Sequence, residues 1–440
     1  MKFLTIYHYY WTLPNMKSTR PLGLFASTSL VIGNMVGSGI FLLPAALASI
    51  GSISLLGWII TAAGSILLAT IFGKLSRRLP LTGGLYAYCR HELGNFSGYQ
   101  VGIFYLLGNI IGDAATVVAL LAYLTVFVPI INTNHILAFL IGSGIIWLIA
   151  LLNIMGIKEV KVVQVITTII KIIPIILVSI VGLFHIHIAN LGYFNISGQT
   201  NMVALANAAM LTFFAFAGLE SSTIPAENIK KPEVNIARST IWGTVITAVI
   251  YILSTVAIMG MFVPAILAKD PALFASAGRI IFGSLTDQIF AVAAIIACFS
   301  TITGFLFITS QAAMAVSRDG LLPRFLSKLT KNNTPYWAVI FSSAIMTVLL
   351  GMNYSALLTS QFTLLITLSN LCILIPYLYT VLSAMRVIKK SEKLGAMIIA
   401  LLACVYILFA IIGSGKDVIF YGIVLLFIIT PFYAFASSKS

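Results

Sequence analysis

The sequence predicts an all-helical integral membrane protein with twelve transmembrane helices, of which the first and the sixth are broken near their middle. Its 440 residues are 60% hydrophobic and only 8% charged, with a mean hydropathy of +1.08. Ordinary soluble domains carry about 25% charged residues, so a soluble protein is excluded. Apolar stretches able to cross about 30 Å of hydrocarbon recur along the whole length. Two of these stretches are interrupted by glycine and small polar residues.

The apolar segments divide the chain into one membrane domain and a short tail. We expect a tail over residues 1–21 and a single domain over residues 22–437, with no appended soluble domain. We expect no signal peptide over the first residues, because His8 and Pro14 break the apolar run, and Met16 is an alternative start. The twelve predicted segments are residues 22–50, 53–73, 99–128, 136–154, 162–184, 203–225, 240–264, 285–317, 336–352, 360–386, 394–412 and 418–437.

The basic charge predicts how the chain lies in the membrane. Of the 25 lysines and arginines, which give a net charge of +14, 21 fall in the N-terminus, the even-numbered loops and the C-terminus. The four exceptions are Lys171, Lys269, Arg279 and Lys416. This asymmetry follows the positive-inside rule and predicts a multi-pass protein of the cell (inner) membrane with both termini in the cytoplasm. It argues against a nucleic-acid partner and leaves anionic membrane lipid as a secondary one.

The first segment contains the strongest local signal for a break. Residues 31–41 read VIGNMVGSGIF, with three glycines and Ser38 in the middle of a membrane helix. Unwinding there would leave a half-helix whose free N–H groups and positive dipole end suit a carboxylate. The alternative is a small-residue face that allows tight helix packing.

The sixth segment carries a second break. Residues 213–222 read FFAFAGLESS, which again places a glycine among small residues and adds the carboxylate of Glu220. Segments 1 and 6 occupy corresponding positions if the first ten helices form two five-helix repeats. Unwound backbone cannot face lipid and survives only where it lines a cavity. A matched pair of broken segments therefore indicates a transporter binding site at the bilayer midplane.

Three ionisable residues lie inside predicted membrane segments: Asp113, Lys171 and Glu220. Each costs at least about 2.5 kcal/mol at the bilayer centre, so function is the default interpretation. Asp113 extends a small polar stripe that begins at Gly108 and Asn109. A desolvated lysine can take up and release a proton, and Glu220 can hold the unwound ends or carry a proton. The alternative for all three is a structural ion-pair network.

Other signals are weaker. Tyr105, Phe214, Phe216 and Phe305 could gate the site or stack on a ligand, but most of the 28 phenylalanines must simply pack. The four cysteines show no CxxC spacing, so neither a disulfide framework nor a metal site is indicated. No catalytic constellation, cofactor motif or phosphate-binding loop is found. We therefore expect no enzyme and no cofactor, and transport by exchange or on an ion gradient.

Six motifs carry a resemblance to a known family. Residues 33–44 (GNMVGSGIFLLP), 83–88 (GGLYAY), 216–221 (FAGLES), 253–261 (LSTVAIMGM), 319–323 (DGLLP) and 375–380 (IPYLYT) resemble the amino acid–polyamine–organocation (APC) transporter superfamily. The similarity spans residues 20–437 and is strongest to its bacterial arginine/agmatine (basic amino acid/polyamine) antiporter group. It implies twelve helices with a five-plus-five inverted repeat, alternating access and a homodimer. The repeats would cover about residues 22–184 and 203–386, followed by two helices over 394–437.

The resemblance also implies roles for individual residues. A substrate carboxylate would bind Ser38 and the Gly39 backbone. Tyr105 and Phe214 would gate the site, and Glu220 would sense protons. The backbone carbonyls of Met35, Phe214 and Ala217 would bind the α-amino group. The distal cationic group would lie beside Gly108, Asn109, Asp113 and Ser369, and Phe305 would be its stacking platform.

Four departures from the arginine/agmatine pattern leave substrate and coupling open. Phe214 and Phe305 replace tryptophans, which should weaken cation stacking. Asp113 replaces an asparagine, so a carboxylate could pair with the head of lysine, ornithine or a guanidinium, or could titrate. Lys171 replaces an apolar residue and is similar to the helix 5 lysine of proton-coupled amino acid symporters in the same superfamily.

Three functions remain from the sequence. The first is an exchanger of a cationic amino acid for its decarboxylated amine or a related amino acid. The second is a proton-coupled symporter of neutral or broad-range amino acids that uses Lys171. The third is a channel or amino acid sensor, which no selectivity-filter repeat or soluble signalling domain supports.

Overall fold

The structure is a computed structural model that describes residues 22–79, 81–270, 272–283, 286–352, 358–387 and 393–437. The predicted tail over residues 1–21 lies outside this part of the chain. Four short 3₁₀-helices, at Pro129–Asn132, Leu183–His185, Ala226–Asn228 and Arg324–Ser327, accompany the α-helices. The α-helices are α1 (Leu24–Met35), α2 (Ser38–Ala48), α3 (Ser54–Arg78), α4 (Leu85–Leu93), α5 (Asn95–Leu124), α6 (His135–Met155), α7 (Ile157–Gly182), α8 (Ile188–Leu191), α9 (Asn201–Phe216), α10 (Pro232–Met261), α11 (Pro264–Leu267), α12 (Leu273–Phe282), α13 (Thr286–Arg318), α14 (Tyr336–Gly351), α15 (Leu358–Val387), α16 (Lys393–Gly413) and α17 (Lys416–Ser437).

Ten stretches of the described chain are long and apolar enough to cross a membrane, with α1 and α2 counted together. They coincide with ten of the twelve predicted segments. The sixth and the ninth predicted segments form the shorter apolar helices α9 and α14. Each has 16 residues, which give about 24 Å of helix. The prediction that the sixth helix reaches residue 225 is wrong beyond Phe216, because the unwound stretch does not become helical again in residues 217–225.

Both predicted breaks are present. α1 ends at Met35 and α2 begins at Ser38, so only two residues separate the halves of the first segment. After α9, residues 217–225 form a run of turns. Gly218 in this run has φ +102°, a backbone conformation that side-chain-bearing residues rarely adopt. The glycines therefore mark the positions at which the helices unwind.

The breaks lie inside the helix bundle. α5 packs on α13 and α15, α10 packs on α1 and α3, and α9 packs on α3 and α16. One continuous hydrophobic cluster runs through these helices. Four α-helices that the sequence did not predict, α4, α8, α11 and α12, join membrane helices without spanning. This packing surrounds the broken segments with protein rather than lipid, as unpaired backbone groups require.

Candidate functional site

A cavity lies where the two breaks face α5, α13 and α15, and about 360 Å³ of space in and at the mouth of it is not filled by protein atoms. Its lining combines backbone from both breaks with polar and aromatic side chains from the three helices. The lining residues are Asn34, Met35, Gly37, Ser38, Gly39, Asn109, Gly112, Asp113, Thr116, Phe214, Ala217, Thr301, Phe305, Ser369 and Ile373.

Nine of the ten residues expected to bind substrate line this cavity. The tenth, Gly108, does not line it, but its carbonyl oxygen accepts a hydrogen bond of 2.7 Å from the Ser369 hydroxyl. This bond ties α5 to α15 beside the cavity. The residues expected to bind substrate are thus brought together, whereas the roles assigned to them stay predictions.

Asp113 is the acidic group of the cavity. Its side chain lies on α5 and is only 2% exposed, yet it borders the empty space. Among the described residues, no group donates a hydrogen bond to its carboxylate and no cation pairs with it. A buried carboxylate without a partner is costly, since burial removes the water that stabilises its charge. The site can therefore hold a cationic group or a proton.

Asn109 precedes Asp113 by one helical turn and points to the same face of α5. Its amide nitrogen is buried and has no hydrogen-bond partner in the described chain. A buried donor without a partner costs free energy in the same way as an unpaired carboxylate. The cavity wall thus presents an unused donor and an unused acceptor side by side, which suits a polar ligand.

The start of α2 forms the other end of the cavity. Gly37, Ser38 and Gly39 line the space, and no side chain of the described residues caps the N-terminus of the helix. The Ser38 hydroxyl lies 3.0 Å from the Thr116 hydroxyl. A methyl group on Gly39 would meet Ala215 of α9 at 3.0 Å, so glycine lets the two broken segments approach closely. The open N–H groups and this hydroxyl can receive a carboxylate.

The carbonyl end of α1 is held by donors from α7 and α13. The Lys171 ammonium of α7 donates to the Gly33 carbonyl oxygen and, at 3.4 Å, to the Thr301 hydroxyl of α13. Thr301 in turn lies 3.2 Å from the Gly33 carbonyl oxygen and 3.3 Å from that of Val36. These contacts satisfy carbonyl groups that the end of a helix leaves without partners.

Two of the three carbonyls expected to bind an α-amino group already accept a hydrogen bond. The Met35 carbonyl accepts from the Tyr251 hydroxyl, and the Phe214 carbonyl accepts from the Ala217 amide at 3.3 Å. A carbonyl oxygen has two lone pairs, so both can accept one further hydrogen bond. An ammonium group can therefore be bound there without breaking either contact.

Glu220 holds the break of the sixth segment and does not line the cavity. Its carboxylate accepts hydrogen bonds from the Tyr105 hydroxyl at 2.9 Å, from the Tyr377 hydroxyl, and from the Gly218 amide at 3.1 Å. The side chain is completely buried. Tyr105 is therefore a partner of Glu220 in this structure, and its role as a gate stays a prediction.

The ion-pair alternative for the three buried ionisable residues is wrong. Among the described residues, the side-chain ion pairs are Arg90 with Asp319 at 2.5 Å and His91 with Glu92 at 2.8 Å, the latter when His91 is protonated. Both lie outside the membrane segments. Asp113, Lys171 and Glu220 each have different surroundings.

The aromatic residues divide into two groups. Phe305 and Phe214 line the cavity, and Phe214 packs edge-on against Phe362 with ring centroids 5.7 Å apart. Phe216 instead packs against Trp58 and Tyr251 in the core. The packing alternative thus holds for Phe216.

Six lining residues were not among those predicted to bind: Asn34, Gly37, Gly112, Thr116, Thr301 and Ile373. Helical spacing could have found two of them, because Thr116 follows Asp113 by three positions and Thr301 precedes Phe305 by four. Asn34 has a role that spacing does not show. Its amide donates to the Ser221 hydroxyl at 2.8 Å and so links the two breaks directly.

Comparison with known proteins agrees with this architecture. The chain is 29% identical over 426 residues to the cadaverine/lysine antiporter of Escherichia coli strain K12, covering 95% of this chain and 96% of that protein. It is 28% identical over 426 residues to the putrescine transporter PotE of Haemophilus influenzae, covering 95% and 97%. The crystal structure of MhsT in complex with L-phenylalanine has the same fold, with a TM-score of 0.61 at 14% identity over 89% of this chain and 98% of that one.

The predicted fold class is therefore confirmed: an all-helical integral membrane protein with twelve transmembrane helices, a five-plus-five inverted repeat and broken helices 1 and 6. Its relatives are transporters and not enzymes. A family model described as amino acid permease matches residues 22–438. The chain belongs to the amino acid permease family of the APC superfamily.

Proposed function

We propose that this protein is a secondary active transporter that exchanges a cationic amino acid for its decarboxylated amine or a related amino acid by alternating access. The single observation that carries the proposal is the Asp113 carboxylate, which is buried beside the cavity without a cationic partner among the described residues. A side-chain ammonium or guanidinium of the substrate would supply the missing positive charge. Two relatives are named for cadaverine, lysine and putrescine, which carry such groups.

The arrangement of the cavity explains how one site could take both partners of an exchange. The amino acid and its amine share the distal cationic group, and Asp113 with Asn109 would bind that group in both. The amino acid also carries a carboxylate, for which the uncapped start of α2 at Ser38 and Gly39 is the matching acceptor. The amine lacks this contact and would be released more easily.

Reconstituted protein tests the proposal. Liposomes would be preloaded with lysine, ornithine, arginine, cadaverine, putrescine, agmatine or leucine, and uptake of labelled lysine, arginine and leucine would be followed with and without an inward proton gradient. We expect uptake of dibasic compounds that depends on a dibasic compound inside. Absence of uptake with every internal compound, or uptake of leucine alone, would contradict the exchange of cationic substrates.

Two substitutions at one position test the role of Asp113. Asp113→Asn removes the charge with little change in shape, and we expect the preference for dibasic over neutral amino acids to fall about tenfold, the loss of one charge-assisted hydrogen bond. Asp113→Glu keeps the charge and serves as the control, which should retain the order of preference. An unchanged preference in Asp113→Asn would exclude this carboxylate as the selectivity group.

A second function, proton-coupled symport of amino acids, is favoured by the surroundings of Lys171. The ammonium contacts the carbonyl at the end of α1 and has no carboxylate partner in the described chain. Loss of its proton would remove the positive charge beside the carbonyl groups of the break and so couple protonation to the conformation of the first segment. Uptake into vesicles without internal substrate, driven by an inward proton gradient, would favour this function over exchange.

We further propose the topology and assembly that the sequence predicts. The charge asymmetry supports cytoplasmic termini in the inner membrane, with a tail over residues 1–21 and one membrane domain over residues 22–437. The resemblance supports a homodimer. Accessibility of single cysteines introduced at residues 2 and 439, measured with a membrane-impermeant reagent in intact cells, tests the orientation. Cross-linking within native membranes tests the dimer.

A further inference from the structure

A second cavity, which shares no lining residue with the first, lies where the C-terminal ends of α3 and α15 meet the start of α16. It contains about 380 Å³ of empty space and is open to the outside of the bundle. Seven of its nine lining residues are apolar, among them Ile71, Leu75 and Ile399. The other two are Lys74 and Arg78. Among the residues that the structure describes, no carboxylate lines it.

The position of this cavity matches the level of lipid headgroups. α3 has 25 residues and is about 37 Å long, which exceeds the hydrocarbon thickness of about 30 Å. Its last turns therefore reach the interface, and Lys74 and Arg78 lie there one helical turn apart on the same face. This is the end of the bundle that carries the basic loops. In the sequence, Lys389, Lys390 and Glu392 stand between the two helices that border the cavity, and Lys393 begins α16.

The two cations have different surroundings. Arg78 donates to the backbone carbonyl of Val387 at the end of α15, so its guanidinium is held at the rim of the cavity. Lys74 is half-buried and, within the described chain, makes neither a hydrogen bond nor an ion pair. A half-buried ammonium above an apolar groove is stabilised by an anion whose remaining part is apolar. A phospholipid with a negatively charged headgroup has this combination.

We propose that this cavity binds one anionic phospholipid, with its phosphate at Lys74 and Arg78 and an acyl chain along the apolar wall formed by α3, α15 and α16. Basic pockets between membrane helices on the cytoplasmic side recognise such headgroups. The three helices pack on one another at this end, so the lipid would bridge the tenth helix to the second and the eleventh. This site is independent of the transported substrate.

Native mass spectrometry of the purified protein in detergent tests the proposal. Phosphatidylglycerol and phosphatidylcholine with identical acyl chains would be titrated separately. Each positive charge near the lipid surface contributes about 1 kcal/mol, or about fivefold in affinity. We expect the wild type to bind one phosphatidylglycerol more tightly than phosphatidylcholine, and Lys74→Gln to lose about fivefold of that preference. Lys74→Arg should retain it.

Arg77→Gln is the matched control, because it removes the same charge from the adjacent, exposed position of α3. We expect it to bind phosphatidylglycerol as the wild type does. If Lys74→Gln and Arg77→Gln lost the preference for phosphatidylglycerol equally, that preference would be due to general surface charge, and the proposal would be overturned. Equal binding of both lipids by the wild type would also overturn the proposal. Displacement of the lipid by millimolar glycerol 3-phosphate would overturn it too, because it would indicate a site for free phosphate.

Discussion

In both broken helices, unwinding leaves backbone groups without partners, and groups of opposite charge stabilise the two breaks. In the first segment, the carbonyl end of α1 receives donors: the ammonium of Lys171 and the hydroxyls of Thr301 and Tyr251. In the sixth segment, the carboxylate of Glu220 receives the Gly218 amide and the hydroxyls of Tyr105 and Tyr377. One break is held by a cation on carbonyls and the other by an anion that accepts from an amide and two phenols.

The two breaks also differ in the backbone on their C-terminal side. The first segment becomes helical again after two residues, so it offers a helix N-terminus to the cavity, whereas residues 217–225 continue as turns. The first break therefore suits a carboxylate at α2, and the sixth contributes mainly backbone and Phe214 to the cavity wall. In both segments, a glycine-broken helix is stable only with a specific partner for the groups that unwinding leaves unpaired. Four predictions test this rule, ordered by the size of the expected effect on stability.

The largest effect should follow from loss of the carboxylate at the sixth break. Glu220→Ala leaves one amide and two buried hydroxyls without an acceptor, and we expect a loss of about 3 kcal/mol in the free energy of unfolding, with transport below one-tenth of wild type. Glu220→Gln keeps an acceptor oxygen and should lose less. Unfolding in mixed detergent micelles measures both. Wild-type stability in Glu220→Ala would show that this break does not need its anion.

A methyl group added at the glycine of either break should lower the free energy of unfolding somewhat less than Glu220→Ala does. In Gly218→Ala the residue is strained at φ +102° and its Cβ would meet Phe305 at 2.9 Å, so we expect a loss of about 2 kcal/mol. Gly37→Ala would place its Cβ 2.5 Å from the Thr301 hydroxyl and should lose about 1 kcal/mol. Gly144→Ala in α6 is the control, since nothing lies within 4 Å of its Cβ. Equal stability of all three variants would contradict the close contacts at the breaks.

One hydroxyl can be removed from each break for a direct comparison. Tyr377→Phe removes a hydrogen bond to a carboxylate, and Tyr251→Phe removes one to a neutral carbonyl. Bonds to charged groups are about twice as strong. We expect losses of about 1.5 and about 0.6 kcal/mol, values in the range found for membrane proteins. The expected difference between the breaks would be contradicted if Tyr251→Phe lowered the free energy of unfolding more than Tyr377→Phe under identical conditions.

The smallest effect on stability should follow from Lys171→Met. Methionine fills the space, and Thr301 still donates to the Gly33 carbonyl, so we expect a change below about 0.5 kcal/mol. Its effect on transport would be specific: any stimulation by an inward proton gradient should disappear while exchange continues. Uptake measured with and without the gradient decides this. Continued stimulation in Lys171→Met would place the coupling proton elsewhere, with Glu220 the next residue to change.

Local sequence patterns were sufficient to predict most of the fold. Hydropathy located ten long helices and both shorter ones, because crossing hydrocarbon requires an uninterrupted apolar run. Glycine and small residues located both breaks. The extent of the sixth helix was misjudged, because the apolar run that ends at Phe216 keeps the mean hydropathy of the whole predicted segment high, and hydropathy does not report whether backbone is wound.

The residues of the cavity were predicted less completely, and for a different reason. Asp113 and Ser38 could be found because a carboxylate or a serine-glycine run is unusual inside a membrane helix. Thr301 and Thr116 were missed, since threonine is common in such helices and more often bonds to its own backbone. The role of Asn34 in linking the two breaks is evident only from its hydrogen bond to Ser221, which lies 187 positions away in the sequence.

Composition within one turn or one span was enough to establish that the chain crosses the membrane as helices, where two of them unwind, and which ionisable groups are buried. The packing of distant helices was needed to show that Asp113 faces the cavity without a partner in the described chain, that Lys171 holds Gly33 across 138 positions, and that Tyr377 reaches Glu220 across 157. The physical reason is that a buried carbonyl or carboxylate is satisfied by whichever donor lies nearest in space. That donor cannot be read from the residues beside it in the sequence.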